Sequence, residues 1–321
     1  MVTALILGTT LFGGAVAYIG WAAYAIFHGA NAWPFAAGAV ALYFAIPFVA
    51  STAWFTLAWI FRAPRRPALR IGLPASICMF WNEMRAIGRA GPRMALYRWL
   101  VSEPPPAPAR APVLLLHGVL CNAGVWVGLR RFLATQGIGP VYTLSYGPPL
   151  ESVELFAEQA ASKIDAILAA TGARQVAIVG HSMGGLVARA YLRRYGGNRV
   201  RCLMTLGTPH HGSVHAWLFP GTCLQQLRPG NEWLGELNRD EGAQRPTRTV
   251  SLWSWHDSMI APQTSSRLVG AHNIELTGIG HNALLGDRSA FARVAEELRR
   301  AAAESAAEPG AEPDDVRDAA D

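Results

Sequence analysis

The pentapeptide Gly180-His181-Ser182-Met183-Gly184 sets a hydroxyl between two glycines. The apolar run "QVAIVG" leads into it and the helical pattern "GGLVARAYLRRYG" leads out. A strand that turns so tightly into a helix holds its middle residue in strained backbone angles and pushes that side chain above the sheet edge. The helix N-terminus then lies directly behind the hydroxyl, where negative charge is favoured. Side chains at Gly180 and Gly184 would collide with the neighbouring strand and helix. The chemistry such a residue could do is nucleophilic attack by Ser182. The pentapeptide alone is weak, since a glycine turn with an incidental serine has the same letters. The strand before it and the helix after it make it specific.

A serine hydroxyl needs a base near neutral pH. His281, in "LTGIGHNALL", ends the last strand pattern, so its ring can hang over the same sheet edge. His28 lies in an apolar N-terminal region, His210 and His211 precede the acid candidates, and His181 sits inside the turn and cannot point back. The base needs an acid to fix its tautomer and stabilise the imidazolium. Asp257 follows the strand "TVSLWSW" and comes before His281. Asp240 and Glu241 fall in an irregular segment, and Glu275 falls inside a strand. Topology therefore favours Asp257. Two N–H donors should meet the oxyanion: Met183, just after the serine, and Val119, in the loop "LLLHGVLCNAGVW" that Gly118 allows to turn close. Asn122 reads as an auxiliary donor or as the N-cap of the following helix.

These residues need a scaffold that brings distant strand ends to one rim. From Val113 the chain alternates strand and helix patterns, which implies a parallel sheet with helices on both faces. "VLLLHG", "VYTLSYG", "QVAIVG", "VRCLMTLGTP", "RTVSLWSW" and "NIELTGIG" read as strands, and "RSAFARVAEELRRAAA" as a closing helix. Residues of about 210–248 break the rhythm as an insertion. Its stretch "VHAWLFPGTCLQQL" carries Trp217, Leu218 and Phe219, which could cap an apolar cleft lined by Leu120, Trp126 and Met183, or simply pack as a lid helix. The expected organisation is an apolar hairpin over residues 1–61, a basic helix and Pro-rich linker over 62–111, the α/β domain over 112–303, and a disordered acidic tail over 304–321.

Charge is distributed unevenly. Hydrophobic residues make up 51% of the chain and charged ones only 16%, and no Asp, Glu, Lys or Arg precedes Arg62. The apolar runs Ala4–Phe27 and Pro34–Phe61 are each long enough for a hydrocarbon core of ~30 Å. The "HGANAW" connector predicts a hairpin. A cleaved signal peptide fits poorly, because no basic n-region is present and a second apolar run follows. Eight arginines and one acid, Glu83, lie between Arg62 and Arg98. Beside a membrane span, such a segment suits an anionic leaflet rather than nucleic acid. Positive-inside bias puts the α/β domain in the cytoplasm, on the inner membrane of a bacterium. The four cysteines lack metal-ligand spacing, and nothing in the sequence asks for a metal or cofactor. A Cys202–Cys223 bridge would suit only a domain facing outward.

In combination, "LLLHG", "VGHSMGG", "LGTPHHGS", "LRPGNEWLGELN", "DSMIAPQTS" and "GIGHNALL" resemble the α/β-hydrolase superfamily, especially bacterial lipases and esterases, over about residues 112–303. The resemblance implies an α/β-hydrolase fold with a lid. It also implies Ser182 as nucleophile, Asp257 as acid, His281 as base, and Val119 and Met183 as oxyanion donors. The implied reaction is hydrolysis of a lipid or other acyl ester through an acyl-serine. An acyltransferase or thioesterase would use the same triad, and a membrane scaffold with a dead hydrolase domain is the reading from another class. The apolar hairpin departs from secreted lipases.

Overall fold

The computed structural model describes residues 2–240 and 247–307. Helices α1 (Val2–Phe27) and α2 (Ala32–Ile60) form the N-terminal pair. The turn between them is closed by Asn31, whose side chain caps α2 by accepting from Trp33 N–H at 3.0 Å. α2 is long and apolar enough to cross a membrane, whereas the apolar run in α1 among the described residues, Phe12–Phe27, is shorter. Large apolar side chains on both helices remain exposed, among them Val16, Ile19, Val40, Ile46 and Val49.

The basic segment forms α3 (Leu73–Ala95), followed by the single turn α4 (Tyr97–Leu100). The amphipathic helix expected there is present, but its buried face covers protein. Phe80 lies against Phe48 and Phe55 of α2. Its C-terminal end meets the loop after the first strand, so closely that a Cβ on Gly124 would fall 2.6 Å from the Arg93 carbonyl carbon. Residues 62–111 are thus no free spacer between hairpin and sheet.

Strands β1 (Val113–Leu116), β2 (Val141–Leu144), β3 (Val176–His181), β4 (Val200–Leu206), β5 (Arg248–Ser254) and β6 (His272–Leu276) form one sheet in the order β2-β1-β3-β4-β5-β6. Every pairing is parallel. All carboxyl ends therefore share one rim. The chain reverses direction across the sheet between β1 and β3, which opens a crevice at that rim. Alternation along β1 sends Leu114 and Leu116 to one face and Val113 and Leu115 to the other. The first face is covered by α6 (Val153–Thr171) and α7 (Met183–Tyr195) through Phe156, Ile164, Leu186 and Val187. The second is covered by α5 (Val127–Thr135) and α10 (Arg288–Ala307) through Leu129, Leu133, Phe291 and Val294.

The insertion folds as a 3₁₀ turn at Val214–Trp217 and helices α8 (Thr222–Gln226) and α9 (Glu232–Asp240). Buried Arg189 on α7 anchors it by donating to Asn238 Oδ1 at 2.8 Å and by contacting His210 Nδ1 at 3.1 Å. Glu241 and the rest of 241–246 lie outside the described residues, as does the tail from residue 308. The start of the expected tail is instead helical: α10 continues to Ala307, and Glu304 accepts from Arg248 at 2.8 Å. Cys202 and Cys223 are buried free thiols in the clusters on opposite sheet faces, so no bridge joins them.

Candidate active site

Ser182 leaves β3 and begins α7 with φ 55° and ψ −126°, a strained conformation for a residue with a Cβ. Its N–H donates to Leu206 O on β4 at 2.9 Å, and its carbonyl accepts from Gly185 N at 3.1 Å. These bonds hold the bend between two parallel strands. The glycines are needed where the sequence puts them. A Cβ on Gly180 would sit 2.6 Å from the Gly184 carbonyl, and one on Gly184 would strike the backbone at Leu116, the last residue of β1, and at His117 just after it. Across the crevice, a Cβ on Gly118 would lie 3.0 Å from the Ser182 Cβ. The loop after β1 and the serine turn therefore lie side by side.

His281 lies beyond the end of β6 and Asp257 beyond the end of β5, as their order in the sequence implies. His281 Nδ1–H donates to Asp257 Oδ2 at 2.9 Å, with both side chains buried. Asp257 Oδ1 accepts from Met259 N and Ile260 N, both at 2.8 Å. Burial alone would depress the His281 pKa. The charge and hydrogen bond of Asp257 outweigh that, Glu83 adds to them, and the imidazole is raised above its ordinary value. Gly207, at φ 55°, leaves room for the pair, since a Cβ there would lie 3.0 Å from Asp257 Oδ2 and 3.2 Å from His281 Nδ1.

The other histidines have different surroundings. His181 Nε2–H donates to the His281 carbonyl at 3.2 Å, and burial with His281 facing it holds its pKa well below the ordinary value. His117 stacks on Tyr146, and burial pushes it down to about 4. His210 is tied to Arg189 and Thr205 in the core. Of the competing acids, Glu275 is taken up by Trp255 Nε1–H at 2.8 Å, and Asp240 ends helix α9 of the insertion.

Val119 stands in the loop after β1, and Met183 is the first residue of α7, whose leading amides have no intrahelical acceptor. The next residue, Leu120, has φ 56° and is 47% exposed. Trp217, Leu218 and Phe219 are likewise exposed at 61%, 52% and 41%. Trp126 departs from its expected place at a cleft. It is fully buried in the cluster under α5 and edge-on to His181, where a helix start presses it into the core. The Met183 side chain is likewise a core group. Asn122 is an N-cap, accepting from Gly124 N at 2.9 Å while its Nδ2 donates to Met94 O at 2.9 Å.

One residue escaped the sequence reading. Glu83 of α3 is fully buried against the His281 turn. The Ser258 hydroxyl, Asn282 N–H and Asn282 Nδ2 donate to its Oε1 at 2.6, 3.0 and 2.9 Å, and Ala283 N–H donates to its Oε2 at 2.8 Å. The only signal in the sequence was a lone acid among eight arginines.

Comparison with known proteins agrees with this geometry. Residues 111–251 match the model of the alpha/beta hydrolase fold. A triacylglycerol lipase of Burkholderia plantarii is 34% identical over 141 residues, 41% of this chain and 39% of that protein. One of Pseudarthrobacter phenanthrenivorans is 35% identical over 118 residues, 34% of this chain and 36% of that protein. The chain thus spans less than two-fifths of the length of these relatives. The mature Bacillus licheniformis lipase BlEst2 superposes with a TM-score of 0.53 at 20% identity, covering 62% of this chain and 96% of that one. Aspergillus fumigatus lipase B does so with 0.54 at 22% identity, covering 59% and 52%. The parallel sheet, the glycine-flanked serine turn and the match over residues 111–251 show that this chain carries the α/β-hydrolase fold.

Proposed function

We propose that this protein is a membrane-anchored serine hydrolase that cleaves carboxylic esters of lipids through an acyl-serine. The observation that carries the reading is the buried His281–Asp257 pair at 2.9 Å, on the rim that also bears the strained turn of Ser182. In this mechanism His281 Nε2 takes the Ser182 Oγ proton as the oxygen attacks the ester carbonyl. Asp257 holds Nδ1–H and stabilises the imidazolium. Val119 and Met183 N–H stabilise the oxyanion, and the imidazolium then protonates the leaving alcohol. Water, deprotonated by the same imidazole, releases the acyl group and restores the hydroxyl.

The membrane part of the proposal is supported by where α2 ends. Trp54 of α2 lies 5.6 Å from His215 and 5.9 Å from Phe219, ring to ring, and its carbonyl contacts His215 Nε2 at 3.3 Å. Gln263, six residues after Asp257, donates to Ala58 O and accepts from Ala63 N–H. A helix that crosses a bilayer and docks there would put the exposed Leu120, Trp217, Leu218 and Phe219 at the lipid surface. A cleft of about 1170 Å³ between the hairpin, α3 and the His281 turn is largely apolar and is bordered by Arg85, Arg89, Arg93 and Arg288. That composition suits anionic lipid. The test is hydrolysis of p-nitrophenyl esters of graded chain length, with fluorophosphonate labelling. Wild type should turn over and be labelled, and Ser182→Ala should do neither. Full turnover by Ser182→Ala would end the reading.

A further inference from the structure

We propose that Glu83 is a positioning residue for the catalytic base, supplied from outside the α/β domain by helix α3. The inference rests on the triad reading above and extends it. A carboxylate in a dry interior is costly unless it is hydrogen-bonded. Glu83 meets four donors, and every one belongs to the turn that carries His281 or to the segment after Asp257. The path to the base is short. Glu83 Oε1 accepts a hydrogen bond from the Ser258 hydroxyl at 2.6 Å, and Ser258 Oγ in turn accepts one from the His281 backbone N–H at 3.2 Å. Ser258 adjoins Asp257, so one carboxylate ties the acid's segment to the base's turn. Gly280 makes room for it, since a Cβ there would lie 2.8 Å from the Glu83 carboxyl carbon.

The same helix also reaches the oxyanion loop. Eleven residues after Glu83, Met94 O accepts from Asn122 Nδ2 at 2.9 Å. The helix is thereby a single strut under the two loops whose separation sets the distance from base to oxyanion donors. Displacements of about 1 Å in such geometry cost on the order of 100-fold in rate.

Kinetics of Glu83→Gln on p-nitrophenyl butyrate test this. The carboxamide keeps the shape and one acceptor oxygen, but its NH₂ removes the charge and opposes one of the converging N–H groups. We expect kcat to fall about tenfold or more, with KM within about twofold, as for lost positioning rather than lost binding. The acid limb of kcat/KM should move to lower pH, because a negative charge facing His281 is gone. The other titratable groups facing His281 are Asp257, His181 and His215, and both of those histidines are pushed down. Folded Glu83→Gln with wild-type kcat and an unmoved acid limb would overturn the proposal, since a merely structural role moves only yield or melting temperature. Should that variant fail to fold, Ser258→Ala carries the test. It removes the hydroxyl between Glu83 and His281 N–H, and the same kcat loss supports the proposal while wild-type kcat overturns it. Ser182→Ala, run alongside, separates the failures: turnover surviving there sinks the triad itself, not the role of Glu83.

Discussion

His281 Nδ1 and Asp257 Oδ2 lie 2.9 Å apart with both side chains out of water. The contact joins the ends of two neighbouring parallel strands. A carboxylate there favours the tautomer with the proton on Nδ1, which leaves Nε2 available for the base role proposed above.

Asp257→Asn should keep the fold and lose the chemistry. The amide can present its NH₂ to Nδ1 and so favour the wrong tautomer, and kcat should fall by about 10⁴. Ester turnover and a thermal melt measured on the same preparation check both halves.

The pH profile should show a raised base. His281 must be neutral to accept a proton, so kcat/KM should rise with pH through a midpoint above the ordinary imidazole value of about 6.5. For stability the sign is opposite. A raised folded pKa stabilises the fold fully below the unfolded value, and this stabilisation is lost as pH climbs through the folded pKa. His281→Gln should flatten that slope in urea melts as pH rises above about 6.5. An activity midpoint at or below the ordinary value would contradict the arrangement.

Gly184→Ala tests the bend. Its methyl would strike the Leu116 and His117 backbone, which cannot move without shifting β1. Overpacking of this kind costs about 1–3 kcal/mol. Chemical denaturation should show it, together with activity lost beyond the fraction unfolded.

Arg189→Met tests the lid anchor. The change removes the donor to Asn238 and the neighbour of His210 inside the core. Losing hydrogen bonds made by a buried charged group costs about 1.5–3 kcal/mol. Proteolysis should cut faster within the insertion of residues 210–248 than in wild type.

Changing Trp217, Leu218 and Phe219 together to serine should lower the ratio of long-chain to short-chain ester turnover. Each exposed apolar side chain that enters lipid is worth about 1.5–3 kcal/mol at full burial, so a loss of tenfold or more in that ratio on vesicles is expected. An unchanged ratio would separate the apolar lip from substrate delivery.

The local pattern of residues determined the strands, the helices and the order of Ser182, Asp257 and His281. Glycines around a serine and apolar strand runs act over a few residues, so they can be read in a linear text. The parallel sheet followed, because alternating strands and helices have few ways to bury both sheet faces. Tertiary structure alone decided the place of Trp126, which reads as cleft lining but fills the core, and the burial of Glu83 against Ser258, 175 residues later. It also turned an amphipathic basic helix, legible as a surface element, into a strut beneath the His281 turn. The physical reason is the same in each case. An apolar or acidic side chain seeks burial or partners wherever the folded chain provides them, and over such separations only the packed fold specifies which surface is near enough.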